Sequence, residues 1–188
     1  AAPPEPAPYL EAMRACQEAG EWEAAVSLVH RARRRGVHRP AGLYASAIGA
    51  CEAAGQADAA DELYALGVEE KRFAHWRADE PFSIDLHGFS VPTAACAVRY
   101  VLQRELGNFL PADLKIITGR GVHSAEPGVA KLLPRTGRLL SEELEPTLPY
   151  ETQSRLDCDR NGCKVVNNDG CPLVPVQELF RWLVERSP

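Results

Sequence analysis

The chain has 188 residues, enough for one medium domain or for a small domain with a helical annex. Its 45% hydrophobic and 25% charged content is ordinary for a globular protein, and no apolar run approaches the roughly 18 residues of a membrane-crossing helix, so no membrane partner is expected. The formal net charge is −5, against a polyanion binder that works by bulk charge; residues 1–80 carry 9 Lys/Arg against 13 Asp/Glu and residues 81–188 carry 12 against 13, so any nucleic-acid surface has to be a local patch.

In chain order, Ala1-Ala2-Pro3-Pro4-Glu5-Pro6-Ala7-Pro8 reads as a linker over residues 1–8, and the chain as a piece of something longer in which no targeting segment is visible. Residues 9–70 then repeat. An offset of 35 links Tyr9 to Tyr44, Ala12 to Ala47, Ala15 to Ala50, Cys16 to Cys51, Ala19 to Ala54, Gly20 to Gly55, Ala25 to Ala60 and Leu28 to Leu63. Each unit reads as two helices about a Gly-containing turn, with Gly20 and Gly55 in the left-handed position that ends the first helix. Helical hairpins at a fixed period mean a solenoid. Arg31, Arg33, Arg34 and Arg35 close a second helix, either as phosphate contacts or as a solvated end where exposed carbonyls favour cations; the second is the simpler reading.

Beyond Phe73-Ala74-His75-Trp76 the texture changes. Phe82, Ile84 and Leu86 alternate with Ser83, Asp85 and His87, the period of a half-buried strand. A helix follows, with Ser90 to cap it, Pro92 in its first turn, Ala94, Val98, Val101, Leu102 and Leu106 as its apolar stripe, and Gly107 to close it. Leu114-Lys115-Ile116-Ile117-Thr118 reads as a second strand. A further helix is expected from about Pro134 to Leu144, with Leu139, Leu140 and Leu144 inward. Two short strands about Asp159-Arg160-Asn161-Gly162 are expected to form a hairpin. Val176, Leu179, Phe180, Leu183 and Val184 predict an amphipathic terminal helix.

Six cysteines invite a disulfide or zinc reading, but Cys16 and Cys51 are repeat positions and Cys96 lies in an apolar helix. Cys158, Cys163 and Cys171 have no fourth ligand at zinc spacing. Reduced, mostly buried thiols are expected.

Strand–helix–strand in this length predicts a parallel pair with a right-handed crossover, so both strand ends lie on one edge of the sheet. His87-Gly88 ends the first strand and Thr118-Gly119-Arg120-Gly121 the second. Asp85 and His87 share a face, opposite Ile84 and Leu86. His87 is the side chain suited to move a proton near neutral pH. Asp85 orients or charge-tunes it, or holds a divalent cation such as Mg. Gly119 and Gly121 let backbone N–H groups approach an oxyanion, and Arg120 adds a phosphate fork. His123 and Ser124 follow as a second acid/base and a hydrogen-bond donor. Each motif alone is weak. The Gly-Lys-Ser/Thr of a nucleotide loop is absent, as is the final Gly of a hydrolase elbow.

Two resemblances sharpen this. Tyr44, Ala50-Cys51, Ala54-Gly55 and Ala60-x-x-Leu63 resemble pentatricopeptide repeats, which read single-stranded RNA one base per repeat. That resemblance assigns base choice to Leu10 with Pro40 and to Ala45 with His75, and neither pair has the polar character of a base reader. The repeats are then the degenerate end of a longer array, or a bridge. Ile84-Asp85-Leu86-His87-Gly88 together with Thr118-Gly119-Arg120-Gly121-Val122-His123-Ser124 strongly resembles the Smr (small MutS-related) domain over about residues 82–166, with Asn161-Gly162-x-x-Val165-Val166 as its closing hairpin.

The Smr resemblance implies an α/β fold: a two-layer domain with a four-stranded sheet and helices on one face, here preceded by an all-α repeat segment. The implied organisation is a linker over 1–8, repeats over 9–75, an Smr domain over 80–170 and a C-terminal helix over 171–188 packed on it. It implies catalytic and binding roles for Asp85, His87, Thr118, Gly119, Arg120 and Gly121; together with the residues read beside them, the expected catalytic set is Asp85, His87 and His123, and the expected nucleic-acid-binding set is Gly88, Lys115, Thr118, Gly119, Arg120, Gly121 and Ser124. The order of domains resembles RNA-processing proteins of plastids and mitochondria. The expected function is RNA binding with endoribonuclease activity on single-stranded RNA, with DNA as a further substrate; a non-catalytic RNA- or ribosome-binding adaptor is the alternative. Oligomeric state is left open.

Overall fold

The computed structural model describes residues 7–37, 41–107, 110–119, 131–159 and 162–186; between 153 and 170 the description is of the backbone. Two compact units divide it, one of residues 1–74 with 92–103 and the other of residues 75–91 with 104–188.

The first unit is built from four equal helices, α1 (Ala7–Ala19), α2 (Trp22–Arg34), α3 (Ala41–Ala53) and α4 (Ala57–Glu69). The repeat read from the sequence reappears in the hydrogen bonding. Gly20 (φ 71°) and Gly55 (φ 73°) end α1 and α3 in the left-handed region. The next amide reaches back to the same repeat position in both units, Glu21 N–H to the Cys16 carbonyl and Gln56 N–H to the Cys51 carbonyl, each at 2.9 Å. The second helices end alike, on Gly36 (φ 64°) and on Lys71 (φ 56°). Glycine bears that conformation without cost, whereas Lys71 holds it with a side chain.

Ala25, Ala47, Ala60 and Cys51 are fully buried, so small residues let the helices approach closely. Phe73 closes this core. Its ring stacks on Tyr64 with centroids 5.0 Å apart and meets Tyr44 edge-on. Gly67 lies so near the ring that a Cβ there would fall 2.6 Å from two of its carbons.

Helix α5 (Val91–Tyr100) widens into a π-helical turn over Val101–Glu105. Its burial is not the expected stripe, since every residue from Thr93 to Arg99 is buried. Arg99 tolerates this because Nε lies 2.9 and 2.8 Å from the two Asp61 oxygens, while Nη2 bonds Glu52 and approaches Cys96 Sγ. Cys51 and Cys96 are buried and Cys16 and Cys171 half-buried, and none of the four is in a disulfide. Burial pushes the Cys51 and Cys96 thiols up from their ordinary range.

The second unit carries a four-stranded mixed sheet in the order β1-β2-β4-β3, from β1 (Ser83–Asp85), β2 (Leu114–Ile117), β3 (Glu151–Asp159) and β4 (Gly162–Val174). β1 and β2 run parallel with Ile84 opposite Ile116, and β4 is antiparallel to both its neighbours. The hairpin strands are long, with 9 and 13 residues, where short ones were expected. A register shift between Thr152 and Ser154 absorbs the turn-like Asn167-Asn168-Asp169-Gly170 stretch, and residues 171–174, expected in the terminal segment, complete β4.

The helix expected from Pro134 runs as α6 (Leu132–Arg138) and a π-helical turn over Leu139–Glu143, with Leu139, Leu140 and Leu144 buried as expected. In α7 (Val176–Arg186) the buried face is Leu179 and Trp182, while Phe180 and Val184 are exposed. Trp182 replaces them inside because its indole N–H finds the Pro146 carbonyl at 2.6 Å.

Candidate functional site

The parallel register sets the site. With Asp85 opposite Ile117, and Leu86 N–H donating to the Ile117 carbonyl at 2.8 Å, β1 and β2 end side by side. His87-Gly88 and Thr118-Gly119 therefore leave the sheet together. A Cβ on Gly119 would stand 3.5 Å from the His87 Cβ, so the two motifs meet as the topology predicts. Gly88 (φ 82°) and Gly119 (φ 73°) both take the left-handed turn that a glycine allows.

Alternation does the rest. Ile84 and Leu86 are fully buried, while Asp85 is half-buried and the His87 side chain is 75% exposed. Asp85 Oδ1 accepts the His87 N–H at 3.0 Å and faces His87 Nδ1 at 2.9 Å. A carboxylate only accepts, so Nδ1 carries the proton and Nε2 is left with a lone pair. Among the described residues no protein group occupies that Nε2. The pair therefore offers a lone pair at an exposed point.

A strap ahead of β1 completes the surroundings, and sequence reading missed it. Trp76 bridges Ile84 in antiparallel fashion, Arg77 N–H donates to Ser83, and Asp85 N–H donates to the His75 carbonyl at 2.7 Å. The strap is pinned from below, where Glu105 Oε2 receives Trp76 Nε1 at 2.6 Å and lies 2.8 Å from His75 Nε2. It presents Arg77, whose Nη1 is 3.5 Å from Asp85 Oδ2. Arg77 also forks onto Asp79 and lies 4.0 Å from Glu80. The Asp79 hydrogen bond first, then the Asp79 charge, raises the guanidinium above its usual range, and Asp79 is lowered in return.

Lys115 stands opposite Ser83, two register positions from the end of the strand, and its Nζ bonds Glu80 at 2.5 Å. It joins a row of ion pairs, Lys115–Glu80–Arg77–Asp85, that ends on His87, rather than the strand-end loops. Thr118 is buried at the end of β2. Arg120, Gly121, His123 and Ser124 lie outside the described residues, as do Pro40 and Asn161. His75, placed by the repeat resemblance at a base-choosing position, is 3% exposed and engaged with Glu105.

Among the described residues no group of three His, Cys, Asp or Glu is arranged to hold a metal ion, and the oxygens of Asp85 are engaged by His87 and Arg77. A cavity of about 330 Å³ lies among Asp113, Tyr150, Glu151 and Gln177, and none of the strand-end motif residues lines it.

Fold and site together define a mixed α/β protein with a helical N-terminal part, seven helices and a small four-stranded sheet among the described residues. No protein-family model, no curated protein and no solved structure matches the chain.

Proposed function

We propose that the chain binds single-stranded RNA at the edge where β1 and β2 end, and cleaves its phosphodiester backbone there in the manner of an Smr domain attached to pentatricopeptide-like repeats. The observation that carries this reading is the Asp85–His87 pair, joined at 2.9 Å beside the left-handed Gly119 turn. In the proposed reaction His87 Nε2 takes the proton of the oxygen that attacks phosphorus, and as the P–O bond to the neighbouring nucleotide breaks the imidazolium gives that proton to the leaving oxygen. Asp85 stabilises the imidazolium that results, and the backbone amides of the glycine turn face the phosphoryl oxygens. General base assistance of this kind contributes on the order of 10²–10⁴-fold in rate. The repeats hold the strand without choosing its bases, because Leu10 and Ala45 offer no hydrogen bonds to a base edge and His75 is turned inward.

The test is incubation of the purified chain with end-labelled single-stranded RNA, with added Mg and with EDTA. Defined products that the chain generates support cleavage. Tight binding with no products under any metal condition replaces the nuclease with an RNA-binding adaptor that uses the same surface.

A further inference from the structure

Asp85 has two carboxylate oxygens and they are used unequally. Oδ1 takes both the backbone N–H and the Nδ1 of His87, whereas Oδ2 faces Nη1 of Arg77 at 3.5 Å. An Asp χ2 torsion is broad, so contacts on one oxygen alone leave the tilt of the carboxylate plane loosely set. A cation on the far oxygen narrows that tilt. Arg77 is itself held in place: its N–H pairs with Ser83 at 2.9 Å, its Nε meets Asp79 at 2.8 Å, and the strap that carries it is pinned at His75 and Trp76. A planar guanidinium fork held this way loses little freedom on aiming its remaining nitrogen.

We propose that Arg77 is a positioning residue, which by holding Oδ2 of Asp85 directs Oδ1 onto Nδ1 of His87 and fixes the imidazole with its proton on Nδ1 and its Nε2 lone pair outward. Imidazole in water prefers the opposite tautomer, with the proton on Nε2, in which the outward nitrogen has no lone pair to accept a proton. The hydrogen bond at Nδ1 decides between them. The fork of Arg77 is already occupied by carboxylates, so its work is done through Asp85 and not on a phosphate. The kinetic consequence rests on the cleavage reading above; the tautomer does not.

The test uses the full chain with ¹⁵N-labelled histidine, observed by NMR at about pH 8.5, where imidazole is neutral. His87 is one of five histidines and is assigned by its loss in His87→Gln. The Nδ1–H form dominates in the parent, falls at least threefold in Arg77→Met and is retained in Arg77→Lys, which keeps a cation at the site. On RNA, Arg77→Met lowers kcat roughly tenfold with KM within twofold, a fraction of the general-base contribution. An unchanged tautomer ratio in Arg77→Met overturns the inference, as does a raised KM at unchanged kcat, which would make Arg77 an RNA ligand. A tautomer shift in a chain that cleaves no RNA sustains the positioning role and removes the nuclease reading instead.

Discussion

Replacing Arg99 with Met tests how the helical unit is closed. The Arg99 side chain is 9% exposed, and its partners Glu52 and Asp61 are 16% and 18% exposed. Met fills most of the aliphatic stem, so little is lost to a cavity. What changes is electrostatic: two largely buried carboxylates are left without their shared cation. Removing one member of a buried ion cluster costs on the order of 3–5 kcal/mol, against about 0–1 for an exposed pair. Urea unfolding followed by ellipticity at 222 nm reads the helical signal directly. A loss within that larger range is expected. Substantial recovery is expected when Glu52→Gln and Asp61→Asn are added to Arg99→Met, since the amides carry no charge to strand. A loss below about 1 kcal/mol in the single variant would refute the argument, because Arg99 would then behave as a solvent-screened surface charge.

Other outcomes follow from the same geometry. Gly119→Ala places a methyl group at ordinary contact distance from His87, so its cost lies in the left-handed φ of 73°: a loss of about 1 kcal/mol in urea unfolding, with RNA affinity reduced several-fold by filter binding. Lys71→Gly relieves the same strain at the end of α4 and raises stability by about 0.5–1 kcal/mol in the same assay; a loss would show that the Lys71 side chain contributes more than its backbone costs. Burial and raised thiol pKa protect Cys51 and Cys96, so native iodoacetamide labelling at pH 8, read by mass spectrometry, modifies Cys16 and Cys171 before Cys51 and Cys96. Early labelling of Cys96 would contradict its placement against Arg99.

The parts of the fold visible in the sequence were those written in local periods. A 35-residue offset in Gly20 and Gly55 gave the hairpins, because only the left-handed cap requires glycine there. Alternation around Ile84 and Leu86 put Asp85 and His87 on one face, and parallel topology brought Gly119 beside them. What stayed hidden depends on distant partners. Nothing around Arg99 announces that carboxylates 38 and 47 residues earlier will accept it inside. The strap at 75–77 has no strand pattern of its own and is held by Glu105 and by β1. Arg77 reads as an ordinary surface charge until that pairing sets it against Asp85. The exposed Phe180 and buried Trp182 exchanged their expected places for one hydrogen bond to Pro146, which no helical period records.

The central claim turns on one side chain. Cleavage of labelled single-stranded RNA by the parent chain and by His87→Ala, at matched protein concentration and with binding measured in parallel, separates chemistry from affinity. His87→Ala is predicted to abolish cleavage while RNA affinity stays within a few fold. Cleavage by the variant at the parent rate would take His87 out of the mechanism, and the Asp85–His87 pair with it.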